Sequence, residues 1–567
     1  MFQPKLFSVL RRRYTRKMFF TDAMAGVIVG IVAIPLAIAF GIASGVGPTE
    51  GLVTAIIAGF IVSLLGGSNV QIGGPTGAFI VIVYGIIQQH GLSGLIIATM
   101  MAGVMLVLMG AFKLGNIIKF VPYPVIVGFT GGIALTIFST QINDLFGLGL
   151  TEVPGHFIEK WLYYFEHIEQ INWRALGVGA AGLLVIAVLP KISGKIPGAL
   201  VAILLLTPAV LLLKKYGGVD DIQTIGDLYA LPQGLPAFRL PDFSLPAGMT
   251  FFAYLQSLFP PAFTIAMLGA IESLLSAMVA DGVTGDKHDS NAELVAQGVA
   301  NVVAPFFGGI PATGAIARTM TNINNGGRSP VAGIVHAVFL LLMMLTLGYL
   351  VGYIPMPCLA AVLVVVAYNM SGWHTFVSMR KYPKSDFAVL LVTFLLTVIF
   401  DLTVAIEVGM LLAIVLFLKR TNETTEIRSF HDEIIPNEDV ASGALAEEKL
   451  VIPDKVEVYE IDGPYFFGIA NKFDDIMKST GARPCLVRVI RMRKVAFIDS
   501  TGLHNLELLC QKAERDRLRI VLSGVKPKVH YALRKAGLIK MLGAPNVCPH
   551  IDLALRRAAE VVRELSA

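Results

Sequence analysis

Charge is what this chain lacks. Asp, Glu, Lys and Arg make up only 15% of its 567 residues, against about 25% in an average soluble domain, and none occurs from Gly51 to Phe112. A single soluble globule is thereby excluded. The deficit is local, because the last 147 residues hold 22 of the 45 Lys and Arg, so the two parts of the chain suit different solvents. The uncharged stretch is long enough for two or three bilayer crossings at roughly 20 residues each, and the apolar character continues, with interruptions, to Leu418. Cysteine is scarce too. Cys358, Cys485, Cys510 and Cys548 show no CxxC spacing, which argues against a disulfide framework or a structural zinc site. P-loop, GxSxG and HExxH patterns are absent, so nothing points to an ATP-driven pump, a membrane hydrolase or any enzyme. No cofactor, metal or nucleic-acid partner is expected; the lipid bilayer is.

What is present sets an orientation. Lys5, Arg11, Arg12, Arg13, Arg16 and Lys17 precede the first apolar run, a positive-inside signal that places the N-terminus in the cytoplasm. The long first span, Ala23 to Val46, has no small-residue cleavage site after a short apolar core, so it is expected to remain as a helix. Apolar windows fall near residues 23–45, 50–66, 76–88, 94–112, 121–148, 176–190 and 198–213. A second set falls near 262–280, 291–307, 313–322, 330–350, 351–369, 386–400 and 402–418. Lys419 and Arg420 close the last window, so both flanks are basic and the number of crossings should be even; fourteen satisfies this. The expectation is a multi-pass protein of the cell (inner) membrane with both termini cytoplasmic. Its parts are an N-terminal segment (1–22), a transmembrane domain (23–420, repeats about 23–215 and 250–420), a linker (421–449) and a small α/β domain (450–567).

Windows 76–88 and 313–322 are too short to cross about 30 Å of hydrocarbon, and each begins at a Gly/Pro-rich stretch, so they read as half-helices. The first stretch is Gly73-Gly74-Pro75-Thr76-Gly77-Ala78 and the second Gly308-Gly309-Ile310-Pro311-Ala312-Thr313-Gly314-Ala315. A further echo pairs Phe20-Thr21-Asp22-Ala23-Met24-Ala25-Gly26 with Phe263-Thr264-Ile265-Ala266-Met267-Leu268-Gly269. Two colinear echoes imply a duplication, and seven spans per half would make the second copy inverted.

Helix N-termini leave backbone N–H groups unpaired and carry about half a positive charge, so two facing half-helices make an anion site without a metal. Thr76, Gly77 and Ala78, with Thr313, Gly314 and Ala315, stand where such termini should begin, although single motifs of this kind also serve as ordinary caps. Arg318, inside an apolar window, either faces the ligand or snorkels to lipid headgroups. Glu272, with Ser276 one turn on, is a lone carboxylate deep in a span; withdrawn from water it can exchange a proton, or it pairs permanently with Arg318. In the tail, Asp499-Ser500-Thr501-Gly502-Leu503 opens a helix after a strand, where hydroxyls serve as caps or accept phosphate.

These residues resemble the sulfate permease (SulP) family of anion transporters. The resemblance rests on Ile34-Pro35-Leu36-Ala37, Gly74-Pro75-Thr76-Gly77, Asn291-Ala292-Glu293-Leu294 with Gln297-Gly298, Phe306-Phe307-Gly308-Gly309 and Ala317-Arg318. The tail looks like a STAS domain, and Thr501 matches the residue phosphorylated in antagonist relatives, with Ser500 beside it. The resemblance implies fourteen spans as seven-plus-seven inverted repeats, a moving core and a gate, alternating access and a homodimer. It places the anion between Thr76, Gly77, Ala78 and Thr313, Gly314, Ala315, beside Phe40 and Glu272, and leaves room for a cytoplasmic regulator of the STAS domain. Sodium-coupled bicarbonate members place Asp and Thr where this chain has Glu272 and Ser276, which favours protons here. Residues 268–275 and 304–309 look most like the C4-dicarboxylate members, so proton-coupled uptake of succinate, fumarate or aspartate is the expectation. Sulfate, bicarbonate and a passive anion channel stay open as alternatives.

Overall fold

The structure, a computed structural model, describes residues 3–11, 14–116, 121–150, 153–192, 197–230, 234–240, 249–400, 402–434, 450–469 and 485–566. It divides into two compact units, Met1–Ala413 and Ile414–Ala567.

In the first unit a short helix, α1 (Lys5–Arg11), precedes α2 (Arg16–Ala43), whose start is capped by the Thr15 hydroxyl accepting from the Met18 N–H. Next come α3 (Pro48–Leu65), the two-residue strand β1 (Gly73–Gly74) and, after a tight turn at Gly77–Phe79, α4 (Ile80–Ala111). Gly91, at φ 70° and ψ −175°, interrupts α4 and makes it two segments. The first half ends with α5 (Tyr123–Thr140), α6 (Ile142–Phe146), α7 (Phe157–Glu166), α8 (Trp173–Ile192), α9 (Gly198–Gly217) and α10 (Ile225–Leu228). The second half holds α11 (Phe251–Thr284), α12 (Ser290–Val303), β2 (Thr313–Gly314), α13 (Ile316–Asn324), α14 (Val331–Leu347), α15 (Met356–Ser371), α16 (Trp373–Ser378) and α17 (Lys384–Ile399). The long α18 (Leu402–Thr424) follows.

Nine stretches of the described residues are long and apolar enough to cross a membrane. With the shorter helices, and α4 counted on each side of Gly91, two sets of seven segments emerge: α2 to α5, α8 and α9, then α11 to α15, α17 and α18. Their packing exchanges partners between halves: α4 lies on α12 as α3 lies on α14, and α5 lies on α17 as α8 lies on α15. This exchange is what an inverted duplication produces. Small residues permit the close approach that membrane helices need; a methyl group at Gly103 of α4 would stand 2.7 Å from the Gly298 carbonyl oxygen of α12. Large apolar side chains such as Leu184, Leu204 and Leu212 point outward from α8 and α9, as a lipid-facing surface requires.

The second unit contains β3 (Glu426–Phe430), β4 (Glu433–Ile434), β5 (Leu450–Val451), β6 (Val456–Asp462), β7 (Val487–Arg491), α19 (Ser500–Arg515), β8 (Arg519–Ser523), α20 (Pro527–Lys535), α21 (Leu538–Leu542), β9 (Val547–Cys548) and α22 (Ile551–Ser566). The sheet runs β3-β6-β7-β8-β9, parallel except for β3. Alternation along the strands feeds two cores, Ile461, Ile490 and Leu522 on the α19 side and Val458, Val489 and Val521 on the α22 side. One expectation is corrected. Residues 426–430, read as linker, form the edge strand, Glu426 opposite Asp462; an edge strand needs few apolar residues, so its polar composition hid it. Residues 435–449 of that stretch lie outside the described residues.

Candidate anion site

The two duplicated stretches meet. β1 and β2 pair antiparallel, Gly73 opposite Gly314 and Gly74 opposite Thr313. From this ribbon one helix leaves from each half: the turn Gly77–Phe79 leading into α4, with Thr76 at its cap position, and α13 with Ala315 at its cap position. Helix starts carry unpaired N–H groups and partial positive charge, so the ribbon gathers both into one place.

Thr76, Gly77 and Ala78 lie at the first start. The Thr76 hydroxyl is buried and has no hydrogen-bond partner among the described residues. A methyl group on Gly77 would stand 2.9 Å from Met370 Sδ, 3.4 Å from Ile137 Cδ1 and 3.6 Å from Phe40 Cε1. Phe40 of α2 is therefore brought to the motif. Met370 and Ile137, which the sequence did not single out, close it from α15 and α5.

The second motif departs from its twin. Thr313 lies in β2 rather than at a helix start, and its hydroxyl donates to the Gly269 carbonyl at 3.0 Å and contacts Ser273 Oγ at 2.6 Å. The Gly314 N–H donates to Ser273 Oγ at 3.1 Å, the Ala315 N–H donates to the Ile72 carbonyl at 2.9 Å, and a methyl group at Gly314 would run into the Gln71 amide. Asn301 exchanges two 2.8 Å hydrogen bonds with Ala312. These partners on α11 and α12 keep the motif extended for longer than the first, so α13 begins at Ile316. The N–H groups without intrahelical partners are those of residues 316–318, and Thr313 and Gly314 brace the site instead of facing into it.

Arg318 is 2% exposed, which excludes a role at the lipid headgroups. One terminal nitrogen donates to the Pro75 carbonyl at 3.1 Å, and the other is buried with no partner among the described residues. Gly74 lets the guanidinium pass: its φ is 152°, and a methyl group there would collide with Arg318. A guanidinium stays charged at any physiological pH, so the ribbon holds a fixed positive charge with a donor to spare.

On α11, Gly269, Ser273 and Ser276 face the second motif at helical spacing; Ser276 donates to Thr319 Oγ1 at 3.3 Å, which accepts from the Ile72 N–H at 3.1 Å. Glu272 sits at the edge of this stripe, half-buried. Among the described residues its carboxylate has neither a hydrogen bond nor an ion pair, and Arg318 is not its partner.

In the sheet unit the cap of α19 is Asp499, which accepts from the Gly502 N–H at 2.8 Å and the Phe467 N–H at 3.1 Å. Ser500 is exposed and Thr501 half-buried. Neither hydroxyl is spent on capping, the role the sequence also allowed.

A sulfate permease family model matches residues 19–393 and a STAS domain model residues 449–554. Over 549 residues the chain is 42% identical to YvdB of Bacillus subtilis, named as a candidate sulfate transporter, across 96% of this chain and 99% of that protein. The solved transmembrane domain of a cyanobacterial bicarbonate transporter, BicA, is similar with a TM-score of 0.60 and 30% identity, over 71% of this chain and 98% of that one. The murine Solute Carrier 26 family member A9 anion transporter, in its inward-facing state, is similar in fold with a TM-score of 0.84 and 18% identity, over 98% of this chain and 94% of that one. With both units matched and the relative at 42% identity covered nearly end to end, the chain belongs to the sulfate permease family of anion transporters and carries a C-terminal STAS domain.

Proposed function

We propose that the chain is a proton-coupled anion transporter of the cell (inner) membrane, working by alternating access as a homodimer with both termini in the cytoplasm. The observation that supports it is the β1–β2 ribbon, from which two helix starts leave beside the buried, half-paired Arg318. The anion sits against the N–H groups at residues 77–78 and 316–318, with the Thr76 hydroxyl and Arg318 as further donors and Phe40 beside it. Glu272 takes the coupled proton: a half-buried carboxylate with no partner can change its charge without breaking an ion pair. When anion and proton are both bound, the ribbon and its helices move against α5 and α15. Met370 and Ile137 are then the gate residues in the path.

Sulfate is the first substrate to test. YvdB is named for sulfate and BicA for bicarbonate, and neither for the C4-dicarboxylates that residues 268–275 and 304–309 suggested. Ser500 and Thr501, left free by the Asp499 cap, are the proposed phosphosites through which a cytoplasmic regulator acts on the STAS domain. The test is uptake of radiolabelled sulfate, bicarbonate and fumarate into proteoliposomes, with and without an imposed pH gradient. Accumulation that needs the gradient supports coupling; uptake that follows the anion's own gradient at any pH favours a channel.

A further inference from the structure

A cavity of about 230 Å³ lies between α2, α4, α6, α7 and α15. Ala39 and Ala43 of α2 and Gly45 just beyond it line the cavity, so it lies at the end of α2 away from that helix's N-terminus. Phe40 of the candidate site is the next residue to Ala39, so the two places are neighbours along α2.

Two opposite charges border this cavity, and they do not pair. Lys160 of α7 is 3% exposed. Its ammonium stands 5.8 Å from the centre of the Tyr84 ring, and it has no hydrogen bond or ion pair among the described residues. Asp144 of α6 lines the same cavity and is equally without a partner. Burying an ammonium without a counter-charge is costly. Lysine is long enough to leave such a place for water, so a structural role would show as a pair or as exposure. α7 itself is an amphipathic surface helix, with Lys160 and Tyr164 buried and Ile158, Leu162 and Phe165 exposed.

We propose that this cavity is a second, outer anion station, in which Lys160 holds a small oxyanion on its way between the aqueous face and the half-helix site. The inference rests on the transport reading above and adds to it a place on the route. Tyr84 from α4, Tyr164 from α7 and Tyr229 after α10 line the same cavity, and a tyrosine hydroxyl can donate to an anion. An anion beside Lys160 meets the carboxyl of Asp144 as a repelling charge when ionised and as a hydrogen-bond donor when protonated. The station therefore loads an anion better when Asp144 holds a proton.

The test measures KM for radiolabelled sulfate, bicarbonate and fumarate from each face, with intact cells for one and inside-out vesicles for the other. Lys160→Met should raise KM about tenfold or more from one face only, the intact-cell face for a cytoplasmic N-terminus, because a charge-assisted contact is lost. Lys160→Arg should preserve it, and Asp144→Asn, a neutral donor like the protonated carboxyl, should hold KM at its acid-side value at every pH and so remove the dependence on pH at that face. If Lys160→Met does not reach the membrane, Lys160→Gln is measured in the same way. Unchanged KM from both faces, or an equal rise from both, overturns the station while leaving the transport reading intact. A wild-type chain that carries none of the three anions overturns both.

Discussion

The guanidinium of Arg318 donates to the Pro75 carbonyl at 3.1 Å, across 243 residues of sequence. The donor belongs to one copy of the duplication and the acceptor to the other, so a single cation ties the two half-helix starts together. Its second terminal nitrogen is buried and unbonded among the described residues. That combination, a brace and a spare donor in one side chain, distinguishes the site from a pair of capped helices.

Replacing Arg318 separates the two roles. Arg318→Lys keeps the charge but cannot both brace Pro75 and donate elsewhere in a planar fork. Anion affinity is expected to fall about tenfold or more, and further in Arg318→Met. Binding titrations on detergent-purified variants check this; unchanged affinity in Arg318→Met contradicts it.

The two threonines should part company. Thr76 has a buried hydroxyl without a partner among the described residues, so Thr76→Ala should leave the melting temperature unchanged and weaken anion binding by roughly three- to tenfold, or 0.5–1.5 kcal/mol. Thr313 is bonded to Gly269 and Ser273, so Thr313→Ala should cost about 1–3 kcal/mol of stability. Thermal melts beside binding titrations would reveal equal behaviour, the outcome that a symmetric site requires.

The two glycines differ for the same reason. Gly77→Val adds a β-branched side chain against Met370, Ile137 and Phe40, and should block transport in a protein that still inserts. Gly314→Val drives into Gln71 beside the β1–β2 pair, and should lower the folded yield. Membrane abundance and uptake, measured together, distinguish a blocked transporter from an unstable one.

Where the tail is cut should matter. Ending the chain after residue 439 keeps β3 but removes its partner β6, leaving an unpaired strand edge that invites aggregation. Ending it at residue 425 keeps α18 whole and removes the sheet. Size-exclusion profiles should be monodisperse for the shorter form and aggregated for the longer one.

Much of this architecture was legible in the sequence because membrane helices announce themselves by composition. The Gly-Pro-Thr-Gly-Ala echo marked the place where the halves meet. Two-residue strands have no periodicity, however, so the pairing of Gly74 with Thr313 could not be read from either motif. Nor could the capture of Thr313 by Ser273, which depends on where α11 lies against β2. Equal motifs suggested equal roles, and packing made them unequal. Lys160 was invisible for a related reason: it sits in a polar-looking stretch between apolar windows, and only the fold buries it in the wall of the cavity that Asp144 also lines.

If Glu272 carries the coupled proton, a side chain there that cannot change its charge uncouples uptake from the pH gradient. Proteoliposomes containing wild-type protein or Glu272→Gln are given radiolabelled sulfate under an inside-alkaline pH gradient. The wild type should accumulate sulfate above the external concentration, whereas Glu272→Gln, fixed in a neutral state, should only equilibrate it. Accumulation by Glu272→Gln equal to that of the wild type would contradict the account.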